Sequence, residues 1–294
     1  MMMYEGSIWR PPSEARSLIL QVTIGCSKKQ PCTFCVSYRN KKFRIKTIDE
    51  IEQNIHRASQ LGYGNTKKIF LADGNALVMK TSRLNIVLEM LYDNFPQLER
   101  VGIYSCASDI LNKSVDELEQ LKDRGLGIIY IGLETGDDFL LEKIQKGVSA
   151  EANIRACLKV KKAQIPISTI IILGLGGPKR TITHAMATAS MIDLINPEYL
   201  AALTLMIPNG TDIAKDVQSG LFTPLSPKEI LKELRLLIEN MTKLKNTIFR
   251  TNHASNYLPL KGVLIRDRQE ILQKIDNSLA NPSMYFKPEY FRGL

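Results

Sequence analysis

Cys26, Cys32 and Cys35 crowd into one short stretch of a chain that holds only five cysteines. Thiolates are soft ligands suited to an iron–sulfur cluster, zinc or Cu(I), and three of them leave a four-coordinate site with one vacancy for a substrate or cofactor. An odd cysteine count in a reducing compartment argues for metal or reactive thiols over a disulfide framework. A zinc site would need a histidine to complete it. The three histidines, His56, His184 and His253, lack the compact spacing of a zinc ligand pair. Cys106 reads as a buried thiol or as one facing the same cavity, and Cys157, on the apolar side of a predicted helix, as core.

These cysteines follow the first apolar run, Ser17 to Gly25. Beyond them, β-branched runs alternate with amphipathic stretches. The periodicity predicts a helix over Thr47–Leu61 with a Thr47/Glu50 capping box, then a strand at Lys68–Ala72 and a helix near Ser82–Tyr92. Strands at Arg100–Ser105 and Gly127–Leu133 flank a helix opened by Ser114 and Glu117. Helices at Ser149–Ala163 and Thr181–Leu194 alternate with strands at Ser168–Leu173 and Tyr199–Leu205. Strands that are apolar throughout and separated by helices indicate a parallel sheet, because each parallel crossover needs a helix to return the chain. The expected fold class is α/β, a partial (βα)6 TIM-like barrel with a C-terminal helical extension. We expect 1–17 as an N-terminal segment, 18–215 as the barrel, and 216–294 as an extension packed on it. That extension carries a Pro227-initiated helix, a piece at Thr247–Arg250, a last helix near Asp267–Leu279 and an aromatic tail. In such a fold the cysteines emerge at the carboxyl end of the first strand, where sites form.

Here the sequence resembles the radical S-adenosylmethionine (SAM) superfamily, of the type related to coproporphyrinogen dehydrogenase and methylthiotransferase radical domains. The family's loop is C-x3-C-x2-C with an aromatic residue before the last cysteine. Phe34 fills that place, although the first spacing here is longer by two residues. Leu71 to Ala76, containing Asp73, Gly74, Asn75 and Ala76, looks like the Gly-rich segment that receives the methionyl amino group. Ile131 to Gly136, with Glu134, is similar to a G-x-E-[ST]-G signature, and Ile172 to Gly177, with Gly174, resembles the glycine motif beside the adenine. Met206 to Thr211, with Ile207 and Pro208, looks like the turn after the sixth strand. The resemblance implies that Cys26, Cys32 and Cys35 hold a [4Fe-4S] cluster and that S-adenosyl-L-methionine is split to a 5′-deoxyadenosyl radical. That radical abstracts hydrogen from a small-molecule or cofactor-precursor substrate, with an electron donor such as flavodoxin or ferredoxin.

Thirty-nine Lys and Arg against thirty Asp and Glu give a net charge of +9, which favours anionic ligands. Arg250, Asn252, His253, Asn256 and Tyr257 are candidate substrate contacts, with a packing role the alternative for His253 and surface solvation for Arg250. A methylthiotransferase would need three more cysteines, and a cobalamin-dependent methylase a domain ahead of the barrel, so a compact enzyme acting on a small molecule is expected. Two rivals stand beside it: a basic nucleic-acid-binding or RNA-modifying protein with a structural Fe-S or zinc site, and a zinc-containing (βα) enzyme. No apolar run approaches the roughly 20 residues of a membrane span, and no secretory signal opens the chain, so the expected compartment is the cytoplasm.

Overall fold

The computed structural model describes residues 4–293. Along the chain run β1 (Leu18–Gln21), β2 (Thr23–Ile24), β3 (Arg44–Ile45), α1 (Ile48–Gln60), β4 (Lys68–Ala72), α2 (Thr81–Asn94) and β5 (Arg100–Ser105). Then come α3 (Ala107–Leu111), α4 (Val115–Asp123), β6 (Leu126–Glu134), α5 (Asp138–Lys143), α6 (Ala150–Lys162), β7 (Ile167–Leu173), α7 (Gly177–Ile195) and β8 (Tyr199–Thr204). The remainder is α8 (Asp212–Gln218), α9 (Pro227–Asn240), β9 (Ile248–Arg250), β10 (Lys261–Val263) and α10 (Leu264–Ala280).

The chain forms two compact units. The first comprises Met1–Pro31, Ser37–Ile131 and Arg155–Ile167. Its strands run in the order β1-β4-β5-β6, all parallel, and Leu18 opposes Ile69 while Ile69 opposes Val101. Ile69 to Ala72 of β4 are buried without alternation, as expected of a parallel strand covered on both faces. Phe70, Tyr104 and Tyr130 meet edge to face, with ring centroids 4.8 to 6.1 Å apart, beside Ile19, Ala72 and Ile128. Below them Glu14 is wholly buried and is held by Arg100, Ser17 and Tyr130, so its charge is paired inside the unit. Helix α1 opens on the predicted Thr47/Glu50 capping box and buries Ile51, Ile55 and Ala58, spaced for one helical face.

The second unit comprises Cys32–Val36, Gly132–Ile154 and Ser168–Leu294. Here β7-β8-β9-β10 are neighbours in that order, parallel up to β9 and antiparallel at β10. Its core includes Leu140, Ile144, Ile172, Leu175, Leu205, Ile213 and Phe222. Helix α9 starts with a Ser226/Glu229 capping box and Pro227 in its first turn, where the missing N–H costs nothing.

The fold is α/β with a mostly parallel sheet. Six parallel strands, β1, β4, β5, β6, β7 and β8, fall where the apolar runs placed them. The sequence reading lacked α3, α5 and α8, which sit in the turns after strands and have five to seven residues, too few for a helical period to show. It also lacked β10, whose three residues contain Gly262. Among the described residues no helix is long and apolar enough to cross a membrane.

Candidate active site

In the first unit the chain leaves β2 at Gly25 and Cys26, and the turn after β4 presses against it. A Cβ on Gly74 would lie 2.2 Å from Gly25 O and 2.9 Å from Cys26 Cα, so only glycine permits this approach. Asn75 ties the two segments. Its Nδ2 donates to Ser27 Oγ (2.7 Å) and Asp109 Oδ2 (2.8 Å), and its Oδ1 accepts the Ser27 N–H (2.9 Å). Asp109 in turn accepts the Cys106 N–H at 2.9 Å, which extends the network to the end of β5. Asp73 is buried; its carboxylate accepts from Lys41 Nζ (2.6 Å) and from the Gly74 N–H (2.9 Å). Ala76 is buried beside it. Of the predicted cofactor residues, Gly74 and Asn75 thus hold the segment Gly25–Ser27 through backbone and amide contacts, while Asp73 pairs with Lys41.

In the second unit, Cys32 to Cys35 form a turn closed by the Cys35 N–H on Cys32 O (2.9 Å). Thr33 anchors it, donating its N–H to Ile144 O and accepting the Ile213 N–H, each at 3.1 Å. Phe34 and Ile207 pack on the same apolar cluster. Pro208 O accepts the Thr211 hydroxyl at 2.6 Å, while Thr211 caps α8, so the turn after β8 is a helix start.

The stretch from Gly132 to Gly136 has a physical reason at each position. Glu134 ends β6 with φ at +64°, a left-handed conformation uncommon for a residue with a Cβ. Its carboxylate folds back over the strand to Lys146 Nζ (2.6 Å), both groups being largely buried. A Cβ on Gly132 would sit 2.3 Å from that carboxylate, and one on Gly136 would sit 2.3 Å from Ala187 O of α7. Thr135 Oγ1 lies 2.7 Å from His184 Nδ1. Gly174 ends β7 with φ at +88° and donates its N–H to Glu233 Oε1 of α9 at 2.7 Å.

Gly174, Ile207 and Tyr257 line one cavity of about 290 Å³ together with Met206, Glu289 and Arg292. The tail docks here. Arg292 stacks on Tyr257 at 4.0 Å and donates to Ser255 O (2.7 Å), Glu289 (2.6 Å) and Met206 Sδ (3.0 Å). Burial and the Glu289 contact push the Tyr257 phenol up to about 12. The other predicted substrate residues are placed differently. Asn256 is buried and bonds Thr204 Oγ1, Ala202 O and Thr251 O, which closes its own loop. His253 bonds Ser255, while Arg250 and Asn252 are exposed.

Sequence spacing did not reveal Asp109, Lys146, His184 or Glu233. One signal was available. Glu233 shares the helical face of Ile230, Leu234 and Leu237, and a charge on an apolar stripe requires a partner.

No disulfide joins the described cysteines. Among the described residues no three His, Cys, Asp or Glu groups converge as ligands of a single metal ion do. The donor set between residues 26 and 35 is three thiols, each partly exposed, and it fits an iron–sulfur group.

A family model described as the radical SAM superfamily matches residues 20–189. The heme chaperone HemW of Buchnera aphidicola subsp. Acyrthosiphon pisum is 23% identical over 238 residues, 79% of this chain and 60% of that one. The tRNA-2-methylthio-N(6)-dimethylallyladenosine synthase of Clostridium botulinum is 28% identical over 240 residues, 76% of this chain and 51% of that one. The chain thus spans between half and three fifths of the length of these relatives. Methylornithine synthase (PylB) shares the fold with a TM-score of 0.54 at 17% identity, over 93% of this chain and 83% of that one. Because the family match takes in the cysteine loop and the ends of β4, β6 and β7, and extends over more than half of the residues, the chain belongs to the radical SAM superfamily.

Proposed function

We propose that this chain splits S-adenosylmethionine reductively and uses the carbon radical so formed to take hydrogen from a small anionic substrate. The family match over residues 20–189 carries this reading. Cys26, Cys32 and Cys35 are the ligands we assign to a [4Fe-4S] cluster, with Phe34, Asp73 to Ala76, Glu134, Gly174, Ile207 and Pro208 assigned to the SAM molecule. When bound, the cluster supplies the electron that breaks the bond from sulfur to the 5′-carbon.

The chain's own residues position and exclude. Asn75 fixes the peptide after Cys26 through Ser27. Lys146 aims the Glu134 carboxylate by pairing with it in a largely buried setting. Tyr257 and Arg292 form part of the wall of the 290 Å³ cavity, where they would limit the room around a reactive carbon radical. The exposed guanidinium of Arg250 is an anchor for an anionic substrate. The +9 charge suits an acidic electron-transfer protein of the flavodoxin or ferredoxin type. We take residues 18–215 as the radical-enzyme body and 216–294 as its extension.

The test is anaerobic reconstitution with iron and sulfide, followed by reductant and SAM. The protein should release 5′-deoxyadenosine, and Cys26→Ala, Cys32→Ala and Cys35→Ala should each abolish it. Release that survives in all three variants, or strongly salt-dependent RNA binding by a protein that never cleaves SAM, overturns the reading.

A further inference from the structure

Helix α9 lies outside the six strand–helix repeats, yet it delivers one fully buried carboxylate to the end of β7. Glu233 Oε1 accepts the Gly174 N–H (2.7 Å), and Oε2 accepts the Thr181 hydroxyl (2.5 Å). His184, equally buried, lies between this carboxylate and the turn after β6. Thr135 Oγ1 accepts the Asp137 N–H at 3.0 Å and is hydrogen-bonded to His184 Nδ1 at 2.7 Å. His184 Nε2 lies 3.5 Å from Glu233 Oε1 and makes no hydrogen bond to it. The hydrogen-bonded grip of Glu233 is therefore on Gly174 and Thr181, with His184 packed beside it.

A buried carboxylate without a catalytic partner is costly unless its bonds do something for the fold or the site. Here they hold a peptide in the left-handed region, at a glycine whose Cβ would lie 2.8 Å from Ile230 Cδ1 of the same helix. We propose that Glu233 is a positioning residue for SAM: its carboxylate, held by the Thr181 hydroxyl, fixes the Gly174 turn from α9, so that this stretch of the cofactor site holds one arrangement. This rests on the assignment of Gly174 to SAM made above.

The test uses reconstituted protein and three readouts: iron content, SAM affinity by calorimetry, and amide hydrogen exchange of the segment 172–178. Glu233→Asp keeps the charge but withdraws it from the Gly174 N–H, and Glu233→Gln keeps an acceptor oxygen at full reach. Glu233→Asp should bind SAM about tenfold more weakly at unchanged iron content, with faster exchange over 172–178. Glu233→Gln should restore both toward wild type. A folded, fully iron-loaded Glu233→Asp protein with wild-type affinity and exchange overturns the proposal. Should Glu233→Asp fail to fold, Thr181→Val takes its place at a partly exposed position. Freed from the Thr181 hydroxyl, the carboxylate should loosen its hold on Gly174, and unchanged exchange and affinity would again overturn the proposal. Wild-type protein that is loaded with iron yet binds no SAM defeats the site assignment instead, while the exchange data still judge the grip of Glu233 on Gly174.

Discussion

In the first unit the turns after β2, β4 and β5 are tied to one another by short polar side chains, with one buried ion pair, Asp73–Lys41, beside them. Asn75 holds Ser27, and Asp109 holds both Asn75 and the Cys106 N–H. In the second unit the corresponding turns lean on buried charge brought from further away: Lys146 reaches back to Glu134, Glu233 reaches Gly174 from α9, and Arg292 reaches Met206 from the tail. A network of several short side chains tolerates the loss of one bond with a local cost. A buried ion whose counter-charge is removed does not, because the survivor is left uncompensated in a poor solvent for charge.

Mutating each kind of tie tests that contrast. Lys146→Met strands the Glu134 carboxylate and should cost about 3–5 kcal/mol in urea unfolding. A cost below 1 kcal/mol would show that water reaches the pair and that the contrast is false. The double variant Lys146→Met/Glu134→Gln should recover much of the loss. Asn75→Ala, on the amide side, should cost about 1–3 kcal/mol. It should also speed iron loss from reconstituted protein exposed to a chelator, since the segment after Cys26 loses its clamp. Thr47→Ala removes a helix cap remote from both networks and should cost about 1 kcal/mol, with iron retention unchanged.

The smallest effect at neutral pH belongs to His184. Burial holds its imidazole below the usual 6.5, with Glu233 and Asp137 pulling the other way. As the pH falls below 6.5 the unfolded chain takes up the proton first, so stability is complete above that value and is lost as pH drops toward the lower native one. His253, lowered by burial and by Lys287, adds to the same slope. Unfolding of His184→Gln should therefore show a flatter decline between pH 7.5 and 5.5 than wild type, and an identical slope would remove His184 from the account.

Much of the framework was legible because its signals are local. The capping boxes at Thr47 and Ser114 need only a residue and its neighbour three places on, and both form. The apolar runs of β4 and β5 match the structure to the residue. The strand-end glycines could be picked out as turn residues, but not the reasons for them, which are a carboxylate over Gly132 and a helix backbone against Gly136. Lys146 lies twelve residues beyond Glu134, and Glu233 lies fifty-nine beyond Gly174. No periodicity encodes a pairing at that separation, and only the odd charge on the apolar stripe of α9 hinted at one.

The docking of Arg292 bears on how the molecule is handled at the bench. Its guanidinium forms part of a chamber wall, so trimming of residues 286–293 would alter the chamber itself. The trimmed protein should admit bulkier guests.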